Sequence, residues 1–316
     1  MHGGGAHSHT DHDHDHDAHD HGPGHAHHHA PPENWDNRYA IGIALNVVFV
    51  AIEGAAGIFA NSTALLADAG HNLSDVLGLA LAGGAAWLAK KAGSSQRTYG
   101  FGKATVLAAL ANAVLLVFAC GAIGWEAVRR LGAPPEVAPG IVILTAAAGV
   151  VVNTATALLF LSGRHGDINA RGAFLHMAGD AGVSAGVIVA GFLIGATGWT
   201  LIDPIVSLLI VALILASTIG LLRESLDLAM DRAPDHIDVQ KVRALLLTQE
   251  GVTEVHDLHI WATSTTQTAL TVHIVRPDGA NDAFTRDICH ALHDQFGISH
   301  VTVQVERATD AYCPSH

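Results

Sequence analysis

Charge is scarce in this chain. Only 14% of its 316 residues are charged, against about 25% in soluble domains. With half the residues hydrophobic and a mean hydropathy of +0.34, the composition excludes an ordinary soluble protein. Positive charge is scarcer still, with 16 Lys and Arg against 29 Asp and Glu. Nucleic-acid binding needs a basic surface that displaces counterions from phosphate, so DNA and RNA are excluded as partners. Cysteine is almost missing: Cys120, Cys289 and Cys313 form an odd, scattered set without a CxxC pair. That excludes a disulfide framework and a cysteine-only zinc site, and it suits soluble parts that lie in the cytoplasm. The basic start and apolar middle of a secretory signal are lacking at the beginning of the chain. Two enzymatic signatures are missing as well. HExxH does not occur, and the GFGK at Gly100 to Lys103 is no phosphate loop, because Arg97 stands where GxxxxGK requires Gly and Ala104 follows the Lys.

Histidine, by contrast, is abundant, and 12 of the 23 fall within residues 1–33. There they alternate with Asp from Asp11 to Asp17 and cluster at His27, His28 and His29, with almost nothing apolar between. Such a segment cannot form a core and is expected to be a disordered tail. DHDHDHD alternates, unlike the unbroken histidine run of an expression tag, so the tail reads as native. Imidazole and carboxylate both bind divalent ions, so it is either a metal collector or a dispensable polar tail.

Between residues 34 and 230 the chain is nearly continuous apolar sequence. Six segments, approximately 38 to 60, 64 to 89, 104 to 130, 138 to 162, 171 to 196 and 201 to 223, are each long enough for the roughly 20 residues that cross a bilayer. The expected fold is an all-α bundle of six transmembrane helices, with lipid as its surroundings. Cytoplasmic loops retain Lys and Arg. An inside N-terminus places Arg38, Lys90, Lys91, Arg97, Lys103, Arg164, Arg171 and Arg223 inside and only Arg129 and Arg130 outside, so both termini are expected in the cytoplasm. Residues 231–308 read as a small cytoplasmic α+β domain in the order αββαβ: a helix at Val239 to Thr248, strands at Val252 to Trp261 and Ala269 to Val275, a helix at Asp282 to Phe296 and a strand at Ser299 to Glu306. Residues 309–316 form a tail. An uncovered face or edge on so small a sheet invites dimerisation.

The second and fifth apolar segments share one pattern, His71-Asn72-Leu73-Ser74-Asp75 and His176-Met177-Ala178-Gly179-Asp180. Both are HxxxD. Residues four apart share a helix face, so each segment presents an imidazole and a carboxylate together. Two such faces meeting give a four-coordinate nitrogen and oxygen set suited to a divalent ion, most plausibly zinc. The alternative is polar glue between helices. A carboxylate near mid-membrane costs roughly 2.5 to 3.5 kcal/mol, which weighs against two that serve no ion. Gly182 with Gly186, Gly191 with Gly195, and Gly78 with Ala82 are small-residue pairs expected to let these two segments approach closely. Glu53 and Asp68 are further acids; Asp68, three residues before His71, is expected either to orient it or to be a membrane-interface or cavity-facing acid. Asn46, Asn112 and Asn153 are expected to hydrogen-bond between helices.

These residues resemble the cation diffusion facilitator family, in its zinc-transporting branch, over about 38 to 306. The likeness rests on Asn61 through Asp75, the loop His165-Gly166-Asp167-Ile168-Asn169, the Asp203-Pro204 pair, and Val255-His256-Asp257-Leu258-His259-Ile260-Trp261. The resemblance implies a homodimeric zinc/proton antiporter rather than an enzyme. It implies export of Zn2+ from the cytoplasm, with Cd2+, Co2+ and Ni2+ as further candidates and no organic cofactor. His71, Asp75, His176 and Asp180 would form the transport site. It also points to a regulatory zinc site at His256, His273 and Glu306, with Cys313 or a tail histidine as a possible fourth ligand. The chain departs from some relatives at Lys91 to Tyr99, which holds neither His nor Asp, so a further metal site is not expected there. The loop around His165 is short, and the N-terminal tail is the candidate for its role. The expected setting is multi-pass, in the cell inner membrane. Alternating access around one site would couple ion to proton directly, because ligands must lose protons to bind metal and His titrates near 6.5. Two other classes remain open at this stage, an intramembrane zinc hydrolase and a membrane metal sensor. The hydrolase lacks a Glu beside either HxxxD, leaving Glu53 as its base.

Overall fold

A computed structural model describes residues 37–160 and 168–308. The His-rich tail, the loop at His165 to Asp167 and Cys313 lie outside the described residues. Six long helices come first: α1 (Asn37–Ala60), α2 (Thr63–Ala89), α3 (Lys103–Gly132), α4 (Pro139–Phe160), α5 (Ile168–Thr197) and α6 (Ile202–Ala229). Their starts and stops follow local chemistry. Ser62 caps α2, its Oγ accepting from Leu65 N at 3.2 Å, and Asn61 turns the chain with φ 57. Pro134 and Pro135 follow α3, where they cannot continue a helix.

Among the described residues five helices, α2 to α6, are long and apolar enough to cross a membrane, and α1 contributes a shorter apolar stretch, Ala44–Ala60. Six such segments were expected. Large apolar side chains stand on the outside of the bundle, among them Phe59, Phe118 and Leu144, each at least 74% exposed. An apolar surface of this kind suits lipid and would drive aggregation in water. Inside the bundle Leu65, Val142, Val187, Val211 and Ile214 pack together.

The small-residue pairs do a different job from the one expected. Gly191 and Gly195 lie against Ile143 and Pro139 of α4, Gly78 lies against Asn112 of α3, and Gly182 and Gly186 have open space around them. The HxxxD-bearing helices α2 and α5 are joined by polar contacts instead. Asn46 and Asn112 do reach across helices, to Met177 and Ser74. Asn153 does not: it is buried with neither amide atom hydrogen-bonded among the described residues.

The last apolar helix runs on to Ala229, beyond the expected end near residue 223, and feeds the domain that follows. Lys103 Nζ joins the base of α3 to this junction, 2.5 Å from Asp231 Oδ1 and 3.0 Å from the carbonyl of Leu228. Arg232 pairs with Asp227, whose carboxylate holds the guanidinium above its ordinary pKa.

Then come α7 (Val239–Leu247), β1 (Glu254–Ala262), β2 (Thr268–Val275), α8 (Asp282–Phe296) and β3 (His300–Glu306), the αββαβ order read from the sequence. Asn281 caps α8 through Phe284 N, and Gly297 ends it in the left-handed region that glycine adopts freely. The sheet order is β1-β2-β3. The first pair is antiparallel through a tight hairpin, and the second is parallel because α8 carries the chain back across the sheet. Leu246, Leu270, Ile274, Ile288 and Leu292 are fully buried between helices and sheet.

Candidate metal centres

The two HxxxD faces meet. His71 and Asp75 on α2 confront His176 and Asp180 on α5, with the imidazole rings 5.8 Å apart and nearly perpendicular. His176 Nε2 is 3.1 Å from Asp75 Oδ2 and 3.6 Å from Asp180 Oδ2. His71 Nε2 is 3.4 Å from Asp180 Oδ1 and 3.7 Å from Asp75 Oδ2. A tetrahedral ion with bonds of about 2.0 to 2.2 Å sets its ligand atoms roughly 3.3 to 3.6 Å apart; His71, His176 and Asp180 bring one ligand atom each within 4.8 Å of one another, and Asp75 approaches the two histidines at 3.1 and 3.7 Å. Asp180 is buried, whereas Asp75 is 24% exposed and faces a cavity.

That cavity, about 830 Å³, is lined by all four of these residues and extends past Leu79 and Asn112 to Lys90, Gly102 and Thr105 at the helix ends. Its far wall is the turn between β1 and β2, Ser264 to Gln267. The turn is fastened to α3. Thr265 N donates to Thr105 Oγ1 at 3.0 Å, and Gly102 approaches so closely that a Cβ there would stand 2.6 Å from the Thr263 carbonyl.

Around the quartet lies a buried polar layer. Asn72 donates to Glu53 of α1 at 3.1 Å, and Ser184, one turn beyond Asp180, donates to Asp68 of α2 at 2.9 Å. Asp68 is thus engaged by α5, and His71 Nδ1 is buried without a hydrogen-bond partner. The expectation that Asp68 orients His71 is replaced by a role in tying α2 to α5. The sequence offered no sign of the Ser184 contact, because serine is common in membrane helices and the pairing spans 116 positions.

The second predicted cluster also assembles. His256 of β1 and His273 of β2 are direct cross-strand partners, with rings 5.4 Å apart. Glu306, at the end of β3, places Oε2 3.3 Å from His256 Nε2 and Oε1 3.2 Å from His273 Nδ1. The latter pair is close but not aligned for a hydrogen bond, and the Nδ1 atoms of both histidines are buried without one. Two imidazoles with uncommitted nitrogens around one carboxylate fit a divalent ion.

Sequence reading missed Asp257 here. The register shifts between His256 and His259, and Asp257 takes φ 51 at that bulge. Its carboxylate comes to 2.9 Å from His259 Nε2 and 3.5 Å from His273 Nε2, on the side of His273 away from Glu306. A carboxylate behind a ligand histidine fixes ring orientation. The only sequence signal was the acid between two histidines in VHDLHIW.

Comparison with known proteins agrees with this architecture. Residues 39–228 match the family profile described as the cation efflux transmembrane domain, and residues 234–308 match that of the cation efflux protein cytoplasmic domain. The cation efflux system protein CzcD of Alcaligenes sp. (strain CT14) is 35% identical over 282 residues, 89% of either chain. The cadmium, cobalt and zinc/H(+)-K(+) antiporter of Bacillus subtilis (strain 168) is 36% identical, covering 82% of this chain and 85% of its own. Zinc transporter ZitB of Escherichia coli (strain K12) is 34% identical over 91% of both.

Proposed function

The chain belongs to the cation efflux family of multi-pass membrane transporters, and from that premise we propose that it exports Zn2+ from the cytoplasm in exchange for protons. His71, Asp75, His176 and Asp180 are the transport site in this reading, and Cd2+ and Co2+ are further substrates. The observation that carries it is the set of four imidazole-to-carboxylate separations, 3.1 to 3.7 Å, between two helices. Magnesium and calcium want six or more oxygens, which this site does not offer.

Exchange needs no separate proton relay. Each ligand must be deprotonated to hold the ion, so an ion leaving on the acid side is replaced by protons on the same groups. The cavity beside Asp75, which reaches from the quartet to the β1–β2 turn, supports an inward-facing arrangement. In this account α1 is the sixth crossing, both termini and residues 231–308 are cytoplasmic, and the setting is the cell inner membrane. The His/Asp tail of residues 1–33 and the short tail 309–316 flank the two domains. Two copies pair through the cytoplasmic domains, and Zn2+ at His256, His273 and Glu306 regulates them. No organic cofactor takes part.

The test is zinc flux in proteoliposomes carrying wild type, Asp75→Ala or Asp180→Ala. Wild type should transport and both variants should not, although each still inserts. Normal flux in either variant would remove that residue from the site.

A further inference from the structure

The start of α2, at the end of the bundle remote from the cavity, is held in an uncommon way. The first N–H groups of a helix have no partner within it. Ser62 caps Leu65, as described, but the neighbouring donors are met from a different helix. Asp203 of α6 accepts from Thr63 N and from Thr63 Oγ1 on Oδ2, both at 2.7 Å. On Oδ1 it accepts from Ser62 Oγ at 2.5 Å and Ala64 N at 3.3 Å. Asp203, Ser62 and Thr63 are all at most 1% exposed. A buried carboxylate is expensive, and here four donors and the positive end of the α2 dipole answer its charge. Breaking the arrangement would leave both the carboxylate and the helix start unsatisfied in apolar surroundings.

Other helices reach the same turn. Arg130 of α3 donates to the carbonyl of Asn61 at 2.5 Å, and Ala138 N, just before α4, donates to the carbonyl of Ala60 at 3.1 Å. At the opposite end the 830 Å³ cavity opens between α2, α3 and α6. One end of α2 is therefore pinned while the other borders open space.

We propose that Asp203 is a positioning residue, the fixed pivot that keeps the start of α2 on α6 while the cavity-lining half of α2 swings during transport. The proposal rests on the alternating-access reading above. Asp75 lies twelve residues beyond Thr63, about 18 Å along the helix at 1.5 Å per residue, so a tilt of roughly 10° about the pivot displaces it by ~3 Å. That exceeds a metal–ligand bond of about 2 Å and is enough to open the site.

The pivot is tested by making it covalent. In Ser62→Cys/Asp203→Cys, with Cys120, Cys289 and Cys313 retained, zinc flux should fall at least tenfold under reducing conditions and return toward wild type once the new pair is oxidised. The same oxidant should leave wild-type flux unchanged. An oxidised variant with no flux would overturn the proposal, because the contact would then have to break in each cycle. So would an oxidised variant no better than the reduced one, because Asp203 would then act through its charge.

Amide hydrogen exchange in the wild type decides the matter without substitution. Thr63 and Ala64 should stay protected both at high pH with zinc and at low pH without it, while Gly78 and Leu79 change. Loss of protection at Thr63 or Ala64 in either condition would overturn the pivot. Absence of zinc flux in wild type would instead sink the transport reading, and the exchange result would still judge the pivot.

Discussion

Nε2 of His176 on α5 stands 3.1 Å from Oδ2 of Asp75 on α2, closer than either group approaches the other partner on its own helix. The quartet is thus knit together between helices rather than assembled from two local pairs. Losing one carboxylate leaves three groups on two helices, one ligand short of a tetrahedral set. Removing groups behind metal ligands lowers affinity about 10- to 100-fold, so Asp75→Ala or Asp180→Ala should weaken zinc binding by at least about 100-fold. Calorimetric titration of the purified protein, carrying His256→Ala and His273→Ala to silence the other cluster, measures this. Affinity within threefold of that parent would contradict the assignment.

Replacing an imidazole tests ion choice. His71→Asp makes the quartet harder and more anionic, so discrimination between zinc and cadmium or manganese should relax. Proton coupling should persist through the remaining titratable ligands. Competitive flux of the three ions, with and without a pH gradient, provides the comparison, and unchanged selectivity would take His71 out of the ligand set.

In the cytoplasmic domain, zinc should stabilise the folded state by binding it in preference to the unfolded chain. At 100 times the dissociation constant the gain is about 2.7 kcal/mol. In a chain already carrying Asp75→Ala and Asp180→Ala, zinc should therefore raise the Tm of this domain. Adding His256→Ala and His273→Ala should abolish the rise. A rise that survives both substitutions would place the ion elsewhere.

Gly102→Ala tests the fastening of the β1–β2 turn to α3. A Cβ at 2.6 Å from the Thr263 carbonyl meets backbone, which cannot rotate aside. The turn should lift, and the Thr265 amide, bonded to Thr105 Oγ1 at 3.0 Å, should exchange at least tenfold faster. Unchanged exchange would mean that the contact is loose.

Much of this was legible in the sequence because membrane helices and metal ligands leave strong local signatures. The helical period put His71 with Asp75 and His176 with Asp180 on one face each, and the structure turns the two faces toward each other. What escaped were contacts between distant positions. The glycine pairs named a close approach without naming the neighbour, and the neighbours of Gly191 and Gly195 are on α4 rather than α2. Asp203 entered the sequence reading only as half of the Asp203-Pro204 pair, and it also caps another helix, 140 positions away. The bulge at Asp257 depends on a register between strands that neither strand specifies by itself.

The most direct test of the account is zinc uptake into proteoliposomes of the wild-type protein under an imposed pH gradient, with lumenal pH recorded in parallel. Uptake should be fast when the lumen is acidic, should raise lumenal pH as zinc enters, and should collapse when the gradient is dissipated. Zinc movement indifferent to the gradient, with no accompanying proton movement, would contradict proton exchange at the His71, Asp75, His176 and Asp180 site.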